Sequence, residues 1–414
     1  MANRLTRLIT GGLGWGLPLF LVVLPLQTRW LAIPQSLNGG PWEYGTVSVY
    51  GSELLLIILA LAWIWWYRQQ LVKPVWPRSV LIVAGALLVW ELLSIMWAGN
   101  QLAAASLARH TAEAMVLAVM LSSGAVSQLR LAIGLVISAT PQAVVGWWQV
   151  TAQMVPAAKW LGLAAQWPAV AGTAVVEVGG ERWLRAYGAF PHPNMLAIWL
   201  ALGLVAVIWL ATQAKTASQR WLVYGAAMIM VPTLVATFSR AGYIAAAVGM
   251  LVVLVRVWQQ QRFNRVVGLT VGIMAVMATL SVALWWPILT TRVDATSRLE
   301  QQSIDQRLVQ YDQASQLIQR YPIGGVGLSN MTAAVVTNLN ATPPAWWYQP
   351  VHSLYALPVV ELGIVGGLLW AIFLVTIAVT RYQSAWVGLG AVLLAAGLFD
   401  HFLWSLYPGV MMLY

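Results

Sequence analysis

Arg240 stands in Phe238-Ser239-Arg240-Ala241-Gly242, between two apolar segments with almost no loop to join them. An arginine costs roughly 2.5–3.5 kcal/mol at mid-bilayer and much less at an interface, so this one calls for an anionic partner or a snorkelling position. A plain interfacial anchor is the simpler reading; Ser239 and Gly242 beside it favour a packed site. Arg307 has Ser303, Ile304, Gln310 and Tyr311 as helical neighbours, none of them a carboxylate, which leaves its guanidinium for a ligand. His352 follows Trp346-Trp347-Tyr348 and precedes Ser353. Its imidazole titrates where a general base must, although a lone histidine at a helix mouth is most often only solvated. Asp400-His401 ends a later apolar segment on the same face, where a carboxylate can orient an imidazole, accept a proton or simply be hydrated. His192 and Asn194, in Gly188-Ala189-Phe190-Pro191-His192-Pro193-Asn194, read first as a helix start, with Asn194 as its cap. Arg320 and Arg298 have structural explanations: the first complements a helix dipole and the second reaches Asp294 at i−4. Arg109-His110 reads as an interface pair with no further signal.

These groups are embedded in a chain of 414 residues, 60% hydrophobic and only 8% charged, against roughly 25% charged in soluble domains. Runs such as Leu54 to Trp66, Met195 to Leu210 and Ala245 to Val255 sit inside apolar segments of about 20 residues, the length that crosses a bilayer core of roughly 30 Å. An all-α polytopic membrane protein follows, since barrel strands would show only about ten alternating residues each. The formal charge of +10 does not gather into one stripe, so nucleic acid is not indicated. The absence of cysteine excludes disulfides and thiolate chemistry.

Spans are predicted at 9–28, 48–67, 79–97, 105–125, 130–151, 194–212, 221–238, 241–257, 266–286, 354–379 and 384–400, with a twelfth beginning near Leu403 and cut short. The first is read as retained, because no Ala-x-Ala cleavage site follows it. The chain then divides into membrane helices 1–151, an extracytoplasmic segment 152–193, central helices 194–286, a large extracytoplasmic loop 287–353 and terminal helices 354–414. With the N-terminus inside, Arg4, Arg7, Arg68, Lys73, Arg78, Arg130, Lys215, Arg220, Arg256, Arg262, Arg265 and Arg381 fall on inner connections without an acidic residue among them, as the positive-inside rule asks. Within the large loop, Ser303-Ile304-Asp305-Gln306 has capping-box form, and Ile304, Leu308, Tyr311, Ala314 and Ile318 recur as one apolar stripe. An amphipathic helix is expected there, stopped by Pro322 and the glycines of Gly324-Gly325-Val326-Gly327. Trp160, Trp167 and Trp183 in the earlier segment suit the membrane interface.

Other chemistries find no support. The sequence has no P-loop, no His-Glu-x-x-His, no Asp-x-Asp and no Cys-x-x-Cys. Glu53, Glu91, Glu113 and Glu361 fall in or near apolar spans, and such acids keep an anion or proton-coupled transporter as the alternative from another class.

Four pieces, taken in order, resemble the O-antigen ligase and polymerase superfamily of bacterial polytopic enzymes. They are Arg185 to Asn194 before a span, the Phe238 to Gly242 motif, Arg307 to Gly327 with Tyr311 four residues on and then Pro322 and Gly325-Val326-Gly327, and His352 through Glu361-Leu362-Gly363-Ile364-Val365-Gly366-Gly367. The resemblance spans roughly residues 180–405 and implies an enzyme of the bacterial inner membrane. It would move a glycan from undecaprenyl diphosphate to an acceptor hydroxyl of lipid A-core, a growing polysaccharide or a protein, on the periplasmic or outer side. His352, Arg307, Arg240 and Asp400 would be its catalytic residues, and Arg185, His192, Asn194 and Tyr311 would bind substrate, with no metal and no cofactor. The chain departs from the pattern in having His352-Ser353 where the family often has His-Asn. Guanidinium forks can bind diphosphate oxygens bidentately while charge develops on the leaving group, and a neutral His352 can take the acceptor's proton. One displacement of this kind inverts the anomeric configuration.

Overall fold

The computed structural model describes residues 2–69, 76–294, 297–339, 343, 347–381 and 386–414. Lys73 and Trp346 lie outside the described residues, as do the side chains of Arg4, Arg7 and Arg381. The helices are α1 (Ala2–Val23), α2 (Gly51–Gln69), α3 (Arg78–Ser94), α4 (Gln101–Ser122), α5 (Gln128–Ala152), α6 (Pro193–Ala211), α7 (Ala217–Ala236), α8 (Arg240–Gln259), α9 (Arg265–Leu284), α10 (Trp286–Asp294), α11 (Arg298–Arg320), α12 (Met331–Asn338), α13 (Ala356–Arg381), α14 (Val387–Gly397), α15 (Phe402–Ser405) and α16 (Tyr407–Leu413). Among the described residues seven, α2, α4, α5, α6, α8, α9 and α13, are long and apolar enough to cross a membrane; Leu8–Val23 within α1, and α14, are shorter apolar helices. The helices α3 and α7 occupy the expected spans 79–97 and 221–238 but fall outside that set of seven. This is an all-α polytopic membrane architecture.

The helix α6 is the axis of the bundle. Residues Met195 to Ala211 are all buried, as befits a helix that is apolar all round, and α5, α7, α8 and α14 pack on its sides. Small residues set the closest crossings. A Cβ at Gly249 of α8 would lie 2.2 Å from Val392 Cγ2 and 3.0 Å from the Gly388 carbonyl oxygen of α14, and one at Gly242 would lie 2.4 Å from Ala197 Cβ of α6. Backbones can approach this closely only where side chains are absent or small.

The connections at the α6 N-terminal end hold more structure than the sequence suggests. Three antiparallel ribbons form there: β1 (Arg29–Ile33) with β4 (Val47–Tyr50), β2 (Ser36–Leu37) with β3 (Gly40–Pro41), and β5 (Val175–Val178) with β6 (Glu181–Leu184). Trp160 is 84% exposed, as expected of an interfacial indole. Trp183 instead packs edge-on against Trp285, with ring centroids 6.4 Å apart.

The helix α11 begins earlier than its expected capping box. Ser297 is the N-cap, its hydroxyl accepting from the Glu300 amide at 3.4 Å, and Ser303 lies inside the helix. Arg298 therefore opens α11 while Asp294 closes α10, and no ion pair joins them among the described residues. Ile304, Leu308 and Tyr311 form an exposed stripe, and Ala314 and Leu317 are buried. At its C-terminal end, α11 is clipped to α13. The clip uses backbone bonds from Ile364 N to Pro322 O (2.8 Å), Val326 N to Val360 O (3.1 Å) and Gly327 N to Glu361 O (2.8 Å). The α13 helix breaks at Gly363, where φ is 67° and ψ −171°. A Cβ there would sit 2.0 Å from the Ile323 carbonyl oxygen, so glycine is required on both conformational and steric grounds. Beyond α14, the run after Leu403 forms α15 and α16, separated by an extended Leu406.

Candidate active site

One cavity of about 370 Å³ opens at the α6 N-terminal end of the bundle, lined by Arg185, His192, Asn194, Ser239, Arg240, Arg292, Arg307, Gln310 and His352 among others. Four elements bring these together: the start of α6, the tight α7–α8 turn, the α10–α11 arm, and the segment entering α13. The turn after α14 contributes Phe399 to the wall.

The α7–α8 turn explains why arginines gather here. A helix C-terminus leaves carbonyls without intrahelical partners, and cations complement its dipole. Thr237 O accepts from Arg185 Nε at 2.7 Å. Phe238 adopts the left-handed region, φ 47°, and its carbonyl accepts from Arg292 Nε and Nη2 at 3.2 and 3.0 Å. Ser239 then caps α8, accepting from Gly242 N at 3.2 Å. Arg240 donates from Nη1 to the Arg292 carbonyl at 2.9 Å and from Nη2 to Glu300 Oε2 at 3.1 Å. Glu300 is buried and also ion-paired to Arg292. Arg307 projects into the cavity from α11, and among the described residues no carboxylate lies within ion-pair distance of it. Burial lowers its pKa below the usual arginine value, with Asp400 opposing the effect and Arg240 adding to it. Arg185 is buried, and desolvation brings it down to about 10, which leaves it charged at neutral pH.

Asn194 is the hub of a polar network and not the helix cap expected of it. The cap is His192, whose Nδ1 accepts from the Asn194 amide at 3.1 Å. Burial, with Arg185 beside it, drives His192 down to about 3, so its ring is neutral and can accept that bond. The Asn194 side-chain oxygen accepts from Arg185 Nη2 at 2.8 Å and from Ser239 Oγ at 2.9 Å, and its nitrogen donates to Asp400 Oδ2 at 2.8 Å. Burial penalises the Asp400 carboxylate, but the surrounding histidines and the Asn194 amide outweigh that and hold it down to about 2. Its other oxygen accepts from the His401 and Phe402 amides.

His352 is held by Gln310. Its Nδ1 lies 2.6 Å from Gln310 Oε1, so the ring donates there and presents Nε2 with a lone pair. Desolvation lowers its pKa below the usual 6.5, with Arg307 adding to the effect and Asp400 opposing it. The His401 ring stands edge-on to it at 4.9 Å. Asp400 is thus a near charge for His352 and not its hydrogen-bond partner. Tyr311 lies away from the cavity lining, 44% exposed on the outer stripe of α11.

The sequence shows no histidine cluster, yet the fold makes one: ligand atoms of His352, Asp400 and His401 lie within 4.8 Å of one another, as do those of Glu53, His110 and Glu113. In the first group the Asp400 oxygens are occupied by backbone amides and Asn194, and His401 Nδ1 meets Ser405 Oγ at 2.7 Å. The second surrounds Arg109, which bonds to both glutamates. Arg109-His110 therefore belongs to a charge cluster with the buried Glu53 and the half-buried Glu113, and is more than the interface pair expected. Arg320, outside the cavity, donates to the Asn338 carbonyl at 2.6 Å, and its structural reading stands.

Arg292, Glu300 and Gln310 are the members that sequence reasoning passed over. Arg292 lay among other charges in a polar loop, and the two α11 side chains looked like the solvated face of an amphipathic helix.

The fold and the cavity thus define a polytopic membrane protein with a cation-rich polar site at one end of its bundle. Residues 225–371 match the family model described as O-antigen ligase, which supports membership of the O-antigen ligase superfamily. That match supports a ligase- or polymerase-type membrane enzyme. No curated protein matches the chain.

Proposed function

We propose that this protein transfers a glycan from undecaprenyl diphosphate to an acceptor hydroxyl, of lipid A-core or of a glycan, at the extracytoplasmic face of the bacterial inner membrane. The observation that carries the reading is the convergence of Arg185, Arg240, Arg292, Arg307 and His352 on one cavity. Guanidinium groups suit the diphosphate, whose leaving oxygen gains charge as the glycosidic bond breaks. Arg307 and Arg240 take the diphosphate oxygens. Arg185 and Asn194 hold the floor beneath them, and His192 fixes the start of α6. The acceptor oxygen attacks the anomeric carbon, the bond from that carbon to the diphosphate oxygen breaks, and the acceptor's proton passes to His352 Nε2. Gln310 fixes the tautomer, and Asp400 stabilises the imidazolium across a short gap. A single displacement inverts the anomeric configuration, and with guanidiniums meeting the charge the step needs no metal. Polysaccharide polymerase and protein O-oligosaccharyltransferase are the same chemistry with other acceptors. A transporter would need polar groups continuing to the far side of the bundle, and the cavity's cations gather at one end.

The extracytoplasmic orientation rests on Arg68, Arg78, Arg130, Lys215, Arg220, Arg256 and Arg265, which lie at the opposite helix ends or connections. Cysteines placed near Gln301 and near Thr173, at the exposed Ala171 because Thr173 itself is buried, are expected to react with an impermeant thiol reagent in intact cells, and one near Gln261 is not. The activity test supplies purified protein in lipid nanodiscs with a glycosylated undecaprenyl diphosphate and each acceptor class in turn, read by mass spectrometry. Glycosylated acceptor with release of undecaprenyl diphosphate is expected. Anion flux in proteoliposomes without any transfer would overturn the reading.

A further inference from the structure

Arg240 already has partners within the protein. One terminal nitrogen donates to the Arg292 carbonyl and the other to Glu300, so both are engaged by the protein itself. Glu300 is 2% exposed and its two oxygens are divided between Arg240 and Arg292. A carboxylate bridging two guanidiniums presents the same pair of oxygens as one edge of a phosphate. The two contacts are unequal. Arg292 is anchored three ways, by Phe238 O from two nitrogens and by Glu300, and its side chain is 14% exposed. Arg240 meets Glu300 at 3.1 Å and its side chain is 38% exposed towards the cavity. Charge points the same way. Arg185, Arg240, Arg292 and Arg307 against Glu300 and Asp400, with His192 and His352 neutral, leave the site with a surplus of two positive charges. That equals the charge of a glycosylated lipid diphosphate, while the released lipid diphosphate carries more.

We propose that Glu300 is the resident anion of the diphosphate site: it holds Arg240 beside Arg292 between turnovers, the donor's diphosphate displaces it from Arg240, and its return helps expel the product. This rests on the diphosphate reading above. Glu300 acts through Arg240 and is a positioning residue. Removing its charge leaves two guanidiniums without an internal counter-ion, so the site binds a free diphosphate too well.

The test is titration of the full-length protein in nanodiscs with inorganic pyrophosphate, followed by steady-state transfer. Glu300→Gln is expected to bind pyrophosphate tenfold or more tightly than the parent, with kcat and KM both lowered because product leaves slowly. Glu300→Asp, one methylene shorter, keeps the charge Arg292 needs while losing reach to Arg240, and is expected to tighten binding a few-fold; it serves if the glutamine variant does not fold. In Glu300→Gln combined with Arg240→Gln the gain is expected to vanish. Equal or weaker pyrophosphate binding in the folded Glu300 variants, with binding to the parent that Arg307→Ala abolishes, overturns the role of Glu300 alone. Absence of any Arg307-dependent pyrophosphate binding to the parent overturns the diphosphate reading and this one with it.

Discussion

Two clusters of arginine, histidine and carboxylate are buried in this protein, and they differ in what their charges face. Around Arg109, Glu53 and Glu113 both accept from the guanidinium, Ser48 O accepts from its other terminal nitrogen at 2.8 Å, and His110 Nε2 lies 2.9 Å away. The adjoining cavity offers about 30 Å³, room for roughly one water. Around Arg307 the cations outnumber the carboxylates and face about 370 Å³. The same side-chain types make a strut in one place and a binding site in the other. What separates them is uncommitted charge next to open volume.

The sharpest way to break this comparison is His352→Ala, which is expected to lower turnover by about 10²–10⁴-fold, the usual contribution of a general base, while the donor lipid still binds. Near-normal turnover at saturating acceptor would return His352 to a packing role. Next come Arg307→Lys and Arg240→Lys, which keep the charge and lose the fork. At roughly 1.5–3 kcal/mol for a hydrogen bond to a charged group, they are expected to lose about tenfold to a hundredfold in kcat/KM. Arg320→Lys and Arg298→Lys are expected to stay within about twofold, since each sits outside the cavity. Four lysine variants that behave alike would dissolve the distinction.

Glu53→Gln tests the other cluster. It is expected to lower the melting temperature, by a loss of about 1–3 kcal/mol, and to leave pyrophosphate affinity as it was; a large fall in that affinity would join the two clusters. The pH profile separates them again. Burial holds His352 below 6.5, and a base works unprotonated, so kcat/KM is expected to be at its plateau at neutral pH and to fall as pH drops through a value under 6.5. An acid limb centred above pH 7 would count against His352 as the base. The smallest expected effect is that of chelation, which should leave transfer unchanged. Loss in EDTA with recovery in Mg²⁺ would make a metal site of His352, Asp400 and His401.

Much of this site is legible in the sequence because an isolated charge in an apolar setting has few explanations. Arg240 and His352 stand out for that reason, Arg307 because no carboxylate lies at helical spacing from it, and all three reach the cavity. The polar arm between α9 and α13 hides its members by the opposite logic. There Arg292, Glu300 and Gln310 look like ordinary solvated side chains, and only the fold brings Gln310 to a histidine 42 residues on and Glu300 to an arginine 60 residues back. Asn194 was misread because a cap signal and a hub share the same residue type, and the proline at 193 moved the cap to His192. The seven apolar helices follow from composition and length, whereas the ribbons β1 to β6 are too short to show a period.

The clip between α11 and α13 gives the long arm a mechanical property. Three backbone bonds and the paired glycines fix the C-terminal end of α11 to the break in α13, while Glu300 rides near the other end of the same helix. At 1.5 Å per residue the lever from Arg320 back to Glu300 is about 30 Å long, so a tilt of about three degrees at the clip carries the carboxylate about 1.5 Å. That stroke is enough to part it from Arg240, with no residue of the fulcrum having moved.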